Sequence, residues 1–218
     1  MKKYLLSSLV VVGVLFSGCG DSSDTSEQPF LSSSYNLTNI SKDTFDISLT
    51  GTDTQGGNWK GSIAVQDRGT DYLNGVAYRL MESYVYLMET NSGYSNSGIT
   101  KSYINSNGQG AHMVTDTGVI CDMINNPFSL PTNAEIGDFG EGADYVCSDG
   151  SEMKSNWQLK AEKGYAQYIY TMDTTVSGSL MYTNTTTITL DNNGQAKSLN
   201  MVYFYPSNGV KLTLNGTH

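Results

Sequence analysis

Five carboxylates spaced by glycines form the most chemically suggestive stretch of the 218-residue chain. Calcium prefers several oxygen ligands from flexible loops of this kind, so the stretch is a candidate for a calcium site. The spacing is not that of an EF-hand, and a solvated acidic loop is the alternative. A pair of these groups could also serve as the acid and base of a glycosidase. The five are Glu135, Asp138, Glu141, Asp144 and Asp149.

Hydrolytic chemistry has little support elsewhere. His112 and His218 are the only histidines, and no Gly-x-Ser-x-Gly segment is present, so a serine or cysteine nucleophile has no evident base. The letters Asp138-Phe139-Gly140 match a kinase magnesium motif, but none of the other kinase motifs accompanies them. His112 is interpreted as an ordinary strand or turn histidine, and no catalytic residue is predicted.

Aromatic side chains are the remaining sign of a binding function. Fifteen tyrosines accompany Trp59 and Trp157, and such rings can stack against sugars or line a cavity for an acyl chain. Both tryptophans also lie in alternating patterns that favour a core position. Trp59 and Trp157 are therefore candidate ligand contacts, with core packing as the alternative.

The first nineteen residues predict export. Lys2 and Lys3 precede an apolar run from Tyr4 to Phe16, which is typical of a secretory signal. As a helix this run would span roughly 20 Å, which is shorter than a bilayer core of about 30 Å. Ser17-Gly18 before Cys19 resembles the lipobox of bacterial lipoproteins, although Phe16 replaces the usual leucine.

That resemblance implies cleavage after residue 18, a covalent lipid on Cys19 and a membrane anchor of several acyl chains. Gly20 rather than aspartate follows the cysteine, which favours the outer membrane, with the periplasmic face preferred over the cell surface. Residues 1–18 are then the signal peptide, 19–34 an acidic flexible tether, and 35–218 the folded domain.

Two cysteines remain in this oxidising compartment, Cys121 and Cys147, and we predict a disulfide between them. The alternatives are a metal-binding pair and a catalytic thiol, but the sequence has no Cys-x-x-Cys motif and no histidines other than His112 and His218. The formal charge of −9 argues against nucleic acid as a partner, because the two would repel each other. No cofactor is expected beyond the covalent lipid and the candidate calcium ion.

Alternating apolar residues predict strands. Phe45, Ile47 and Leu49 alternate before a Gly56-Gly57 turn, and Trp59 begins a second such run. Residues 72–90 fit both a helix and a strand, and their tyrosines and Val85 favour strands.

Asn-Gly pairs are typical of type I′ hairpins and indicate a meander. They occur at Asn74-Gly75, Asn107-Gly108, Asn193-Gly194, Asn208-Gly209 and Asn215-Gly216. The segments 104–109 and 190–195 match in residue type, which indicates either a duplicated unit or shared hairpin chemistry.

We therefore expect an all-β fold: a single antiparallel meander domain, either a sandwich or an incomplete barrel. The run from Leu130-Pro131 to Gly140, followed by the Trp157 strand, resembles β-rich bacterial envelope lipoproteins, and this resemblance implies no activity. A non-catalytic module that binds an envelope protein or glycan is the first hypothesis. A carrier of lipid or another apolar ligand and a carbohydrate-binding or carbohydrate-active protein are the alternatives.

Overall fold

A computed structural model describes residues 31–41, 44–124 and 128–217, and within them the fold is all-β and antiparallel, as predicted. A short 3-10 helix, Leu37–Ser41, precedes the strands. No helix in these ranges is long and apolar enough to cross a membrane. The strands are β1 Phe45–Asp53, β2 Asn58–Leu73, β3 Val76–Glu89, β4 Ser95–Ile104, β5 Gly110–Thr115, β6 Ile120–Met123, β7 Phe139–Glu141, β8 Tyr145–Cys147, β9 Ser151–Glu162, β10 Tyr165–Val176, β11 Ser179–Leu190, β12 Ala196–Tyr205 and β13 Val210–Thr217.

Alternation in the sequence becomes alternation in burial. Phe45, Ile47 and Leu49 of β1 are buried, while the residues between them are exposed. The same period of two runs through β9 to β13, because successive side chains of a strand point to opposite faces. Residues 72–90 form parts of β2 and β3, so the strand interpretation of this stretch is confirmed.

The sheet closes on itself, and the expected sandwich or incomplete barrel is instead a closed barrel of twelve strands. Most neighbours follow chain order, and β13 pairs with β1 through contacts such as Leu214 with Gly51. β9 pairs with β10 along its whole length, and its other edge is shared by β8 and the extra strand β7. Pairing between the first and last strands joins distant parts of the chain, which local patterns do not indicate.

Buried side chains from the inner faces of the strands fill the barrel. Tyr168, Ile188, Met201 and Leu214 are almost completely inaccessible to solvent, and they belong to four different strands. The interior is therefore a packed core that also holds several tyrosine rings.

The two ends of the barrel differ. At the N-terminal end, where β1 begins and β13 ends, the 3-10 helix buries Leu37 and Ile40 in the core. Tyr35 exchanges two backbone hydrogen bonds of 2.8 and 2.9 Å with Ala134. Leu31 also packs against the core, so contact with the barrel begins before residue 35. The signal peptide, Cys19 and residues 20–30 of the expected tether lie outside the described residues.

The opposite end, which we call the loop end, carries the β1–β2, β3–β4 and β12–β13 connections. No structured segment comparable to the 3-10 helix lies there among the described residues. This end holds the cavity discussed below.

Turn chemistry agrees with the sequence only in part. Asn74 and Gly75 have φ angles of 51° and 79°, as a type I′ turn requires. Lys163-Gly164 and Ser177-Gly178 also have positive φ angles at both residues, although neither pair contains asparagine. Asn215-Gly216 lies inside β13, so this pair is a strand and not a turn.

The two matching segments share one turn. The Asn105 side-chain oxygen accepts the backbone N–H groups two and four residues later at 2.9 and 3.0 Å, and Asp191 does so at 2.8 and 2.8 Å. Gly108 and Gly194 occupy the positive-φ position of each turn. Asp53 makes the same pair of bonds in the β1–β2 turn. The similarity of the two segments therefore reflects this five-residue turn, in which an Asp or Asn side chain replaces backbone acceptors.

Gly61 marks a very close approach between strands, and it gives a first prediction. A Cβ atom built on Gly61 would overlap the backbone carbonyl oxygen of Tyr86, which cannot move without disturbing the ladder between β2 and β3. Gly61→Ala should therefore lower the free energy of unfolding by about 2 kcal/mol, as overpacking does. Urea unfolding followed by circular dichroism measures the change.

Gly110→Ala is the matched control, because its added Cβ meets chiefly the methyl end of the flexible Met123 side chain at 2.8 Å. We expect this variant to keep nearly the stability of the parent chain. Equal unfolding midpoints for the two variants would show that the β2–β3 approach is not as close as the structure indicates.

Candidate functional site

A cavity of about 410 Å³ opens at the loop end. It lies over the adjacent strands β3, β2, β1, β13 and β12, whose connections form its rim. The side chains around it combine aromatic, aliphatic and acidic types. The lining residues are Asp53, Gln55, Gly56, Gly57, Trp59, Glu89, Asn91, Ser92, Tyr94, Tyr205, Val210 and Leu212.

Asp53 fixes one side of the cavity. Its Oδ1 accepts the backbone N–H groups of Gln55 and Gly57 at 2.8 and 3.0 Å, which holds the β1–β2 turn. Its Oδ2 accepts the indole N–H of Trp59 at 2.8 Å. A Cβ on Gly57 would collide with the Asp53 carboxylate, so glycine is needed for this arrangement. The turn thereby sets the orientation of the Trp59 ring.

Glu89 fixes the β3–β4 side of the cavity in a similar way. Its two carboxylate oxygens accept the backbone N–H groups of Asn91 and Ser92 at 2.9 and 2.7 Å. Glu89 is also the register partner of Trp59 across β2 and β3, and its residue is only 9% exposed. The β3–β4 loop therefore folds around this carboxylate, directly beside the tryptophan.

Both carboxylates are stabilised in the ionised form. A hydrogen bond from the Ser92 hydroxyl, followed by the Asn91 N–H, lowers the pKa of Glu89 to about 2. Partial burial raises the pKa of Asp53, but the bonds from Trp59, Gly57 and Gln55 outweigh it and leave that pKa below its usual value. Glu89 also acts on Asp53 by charge repulsion. The cavity therefore carries two negative charges near neutral pH.

Aromatic rings form the apolar part of the lining. The Trp59 and Tyr94 rings meet edge to face, with centroids 6.5 Å apart and an angle of 84° between their planes. Tyr94 is 38% exposed, whereas Tyr205 is buried and leans on Tyr182 with a centroid distance of 6.0 Å. Val210 completes the wall. Rings beside hydrogen-bond acceptors suit a ligand that has both a flat apolar face and polar edges.

Trp157, the other tryptophan candidate, lies in the core. Its side chain stacks on Tyr168 with a centroid distance of 6.3 Å, and the residue is 9% exposed. A Cβ on Gly140 would come within 2.9 Å of the indole nitrogen, so the β7 backbone covers the ring. The structure thus places only Trp59 at the cavity.

The acidic loop uses its carboxylates locally. Asp138 accepts the Glu135 N–H at 2.8 Å, Asp144 accepts the Ser155 N–H at 2.8 Å, and Asp149 accepts the Ser151 N–H at 3.0 Å. Glu141 lies on β7. Across the described ranges, no group of three or more His, Cys, Asp or Glu side chains is arranged to hold a metal ion.

The disulfide between Cys121 and Cys147 is present, as predicted. The two residues are register partners on β6 and β8, and both are buried. The bond therefore joins two short neighbouring strands of the barrel and lies away from the cavity.

His112 belongs to a side-chain cluster on β5 that the sequence did not indicate. Its Nδ1 and Asp122 Oδ1 are 2.6 Å apart, and its Nε2 and the Tyr78 hydroxyl are 3.1 Å apart. The adjacent Met113 is buried, so His112 is directed away from the core. These contacts tie the long β2–β3 hairpin to β5 and β6.

Several cavity residues were missed by sequence reasoning. Asp53 carries a detectable signal, since Asp-x-x-Gly is the same turn pattern found at Asp191. No sequence pattern marks Glu89, Tyr94 or Tyr205 as cavity residues, because the cavity forms only when the β1–β2, β3–β4 and β12–β13 connections meet in the folded barrel.

Comparison with known proteins gives no match of this chain to a family model, a curated protein or a solved structure. The interpretation of the cavity therefore depends on its own geometry and chemistry.

Proposed function

We propose that this protein is a non-catalytic envelope lipoprotein, anchored through Cys19 to the outer membrane, that binds a glycan in the loop-end cavity. The observation that carries the proposal is Trp59 beside two ionised carboxylates, Asp53 and Glu89, in one open cavity. An indole ring offers a flat apolar face for a sugar ring, and carboxylate oxygens accept hydrogen bonds from sugar hydroxyls.

The acid–base properties of the site favour binding over hydrolysis. A glycosidase needs one carboxylic acid that stays protonated near neutral pH, which requires a raised pKa. Here hydrogen bonds lower the pKa of Glu89 to about 2, and that of Asp53 is lowered as well. Neither group is suited to donate a proton to a leaving sugar.

The position of the cavity also supports a tethered binding module. The described chain enters at the N-terminal end of the barrel, and the cavity opens at the loop end. A lipid on Cys19 would attach the chain at the N-terminal end, opposite the cavity, so the anchor itself would leave the cavity entrance uncovered.

The apolar-carrier hypothesis has less support, because core side chains occupy the barrel interior. Tyr168, Tyr203 and Leu159 are among the fully buried residues, and a chain of methylenes would have to displace such groups. An acyl chain in the loop-end cavity would lie against the carboxylates of Asp53 and Glu89 without offering them a hydrogen-bond donor.

Removal of the Trp59 ring tests the proposal. We expect the purified full-length protein in detergent to bind members of a glycan array, and Trp59→Ala to weaken binding to any captured glycan at least about tenfold, because a central aromatic contact is lost. Isothermal titration calorimetry on the captured glycan gives the ratio.

Tyr84→Ala is the control, because it removes an exposed aromatic ring from β3 that does not line the cavity. This variant should bind as the parent does. If the array captures no glycan, or if Trp59→Ala binds normally, the proposed function is wrong.

A further inference from the structure

We infer that the glycan bound in the loop-end cavity carries a protonated amine, as a hexosamine with an unacetylated amino group does. This inference rests on the proposed function and narrows its ligand class. It follows from the charge of the lining residues and from the way their polar groups are already satisfied.

The first step concerns charge balance. Asp53 and Glu89 both line the cavity, and no lysine, arginine or histidine is among the described lining residues. The carboxylates are instead held by neutral donors: backbone N–H groups, the Ser92 hydroxyl and the indole N–H of Trp59. These donors keep the groups ionised but bring no positive charge, so the repulsion between the two acids is not neutralised from within the site.

The second step concerns the ligand groups that such a site selects. A uronic acid or another anionic sugar would add a third negative charge beside the two carboxylates, which costs binding energy. A neutral sugar would leave the repulsion unchanged. An ammonium group would offset it and can also occupy the last acceptor position of Asp53, since three bonds already reach that carboxylate out of about four sites.

The third step concerns the aromatic rings. Trp59 and Tyr94 meet edge to face at the rim, and cations bind favourably over the faces of such rings. Trp59 is fixed through its bond to Asp53, so ring face and carboxylate are presented together. A sugar ring that carries an ammonium group can stack on the ring face while its charge lies at the carboxylate, whereas a simple alkylammonium ion brings the charge without the stacking surface of the sugar.

The test uses two matched probes, the β-1,4-linked glucosamine trimer and its N-acetylated counterpart, with the purified full-length protein near pH 6, where the amines are charged. Isothermal titration calorimetry should show that the glucosamine trimer binds at least tenfold more tightly. Addition of salt should reduce this difference, because ions screen charge–charge attraction.

Asp53→Asn should remove most of the preference between the trimers. Asn105 already performs the same turn role in this protein, so the substituted β1–β2 turn can form. Because the amide nitrogen cannot accept the Trp59 indole N–H, binding of the N-acetylated trimer to this variant should stay near the parent value if the ring keeps its place. Asp46→Asn is the control, because it makes the same change in net charge at an exposed position of β1. It should leave the preference intact.

The remaining outcomes separate this inference from the proposed function. Equal binding of the two trimers, both lost in Trp59→Ala, would overturn the amine and leave glycan binding standing. If neither trimer binds but the array yields a neutral or acidic glycan, the inference is equally wrong. Tetramethylammonium that competes as well as the glucosamine trimer would indicate an amine site without a sugar site, and would overturn both.

Discussion

Raising the pH above about 10 should unfold the barrel in one steep transition between roughly pH 10.5 and 12. Burial raises the pKa of six inner-face tyrosines, that of Tyr170 to about 12. The unfolded chain releases these protons near pH 10, whereas the folded chain retains them. The group comprises Tyr145, Tyr168, Tyr170, Tyr182, Tyr203 and Tyr205.

The sign follows from proton binding. A tyrosine whose pKa is raised by folding leaves stability intact below the unfolded pKa and loses it as the pH rises towards the folded pKa. Each such group lowers the free energy of unfolding by about 1.4 kcal/mol for every pH unit above 10, so six together lower it by about 8 kcal/mol per pH unit. Over two pH units the accumulated loss exceeds the usual free energy of unfolding of a domain.

Tyrosinate absorbance and circular dichroism, recorded together against pH, measure this effect. Exposed tyrosines should titrate first, and the buried group should ionise only as the β signal disappears. If every tyrosine titrates near pH 10 while the β signal persists, the interior is accessible to solvent and the packing of the core is wrong.

The double variant Tyr168→Phe and Tyr203→Phe supplies the control. Within the described chain the Tyr168 hydroxyl forms no hydrogen bond, and the Tyr203 hydroxyl has only the Asn184 side chain beside it, so their removal should leave stability near neutral pH almost unchanged. With two ionisable groups fewer, the alkaline transition should become shallower and shift to higher pH. An unchanged slope would show that these tyrosines do not drive unfolding.

The second large effect is expected from the disulfide. Replacement of both Cys121 and Cys147 by alanine should lower the free energy of unfolding by about 3.5 kcal/mol, the value of the chain-entropy relation for a separation of 26 residues. Denaturant unfolding of the oxidised protein and the double variant gives the difference.

The local effect should be larger than elsewhere in the barrel. β6 and β8 are joined through only three register pairs, of which the cysteine pair is one. Amide hydrogen exchange should therefore accelerate most in these strands. Binding at the cavity should be retained, because neither strand lines it. Identical stability of the two proteins would mean that other contacts hold this part of the sheet.

Sequence patterns predicted the local features of the fold well. Alternation identified β1 and β2, and tyrosine-rich composition correctly favoured strands over a helix between residues 72 and 90. The disulfide followed from the cysteine count and the expected compartment. The strand predictions depend on residues that are neighbours in the chain. The disulfide prediction depends on Cys121 and Cys147 being the only cysteines besides Cys19.

Features that depend on distant contacts could not be predicted. Closure of the barrel joins β1 with β13, and no local pattern encodes that pairing. Asn215-Gly216 is a strand because Gly216 fits against Ile47 and Leu49 of β1, which overrides its turn propensity. Trp59 could not be distinguished from Trp157 as a ligand contact, since both alternate correctly and only tertiary packing buries one of them.

The pairing of β1 with β13 also has a consequence for biogenesis. Thr54 and Lys211 exchange hydrogen bonds of 3.0 and 3.1 Å although 157 residues separate them. As the chain emerges in order, one edge of β1 has no partner until the last strand arrives, and contacts of such high contact order form slowly. During that interval the nascent protein presents an unpaired strand that can associate with other chains. Quality control in the compartment where it folds would therefore have to protect the first strand until the last one arrives.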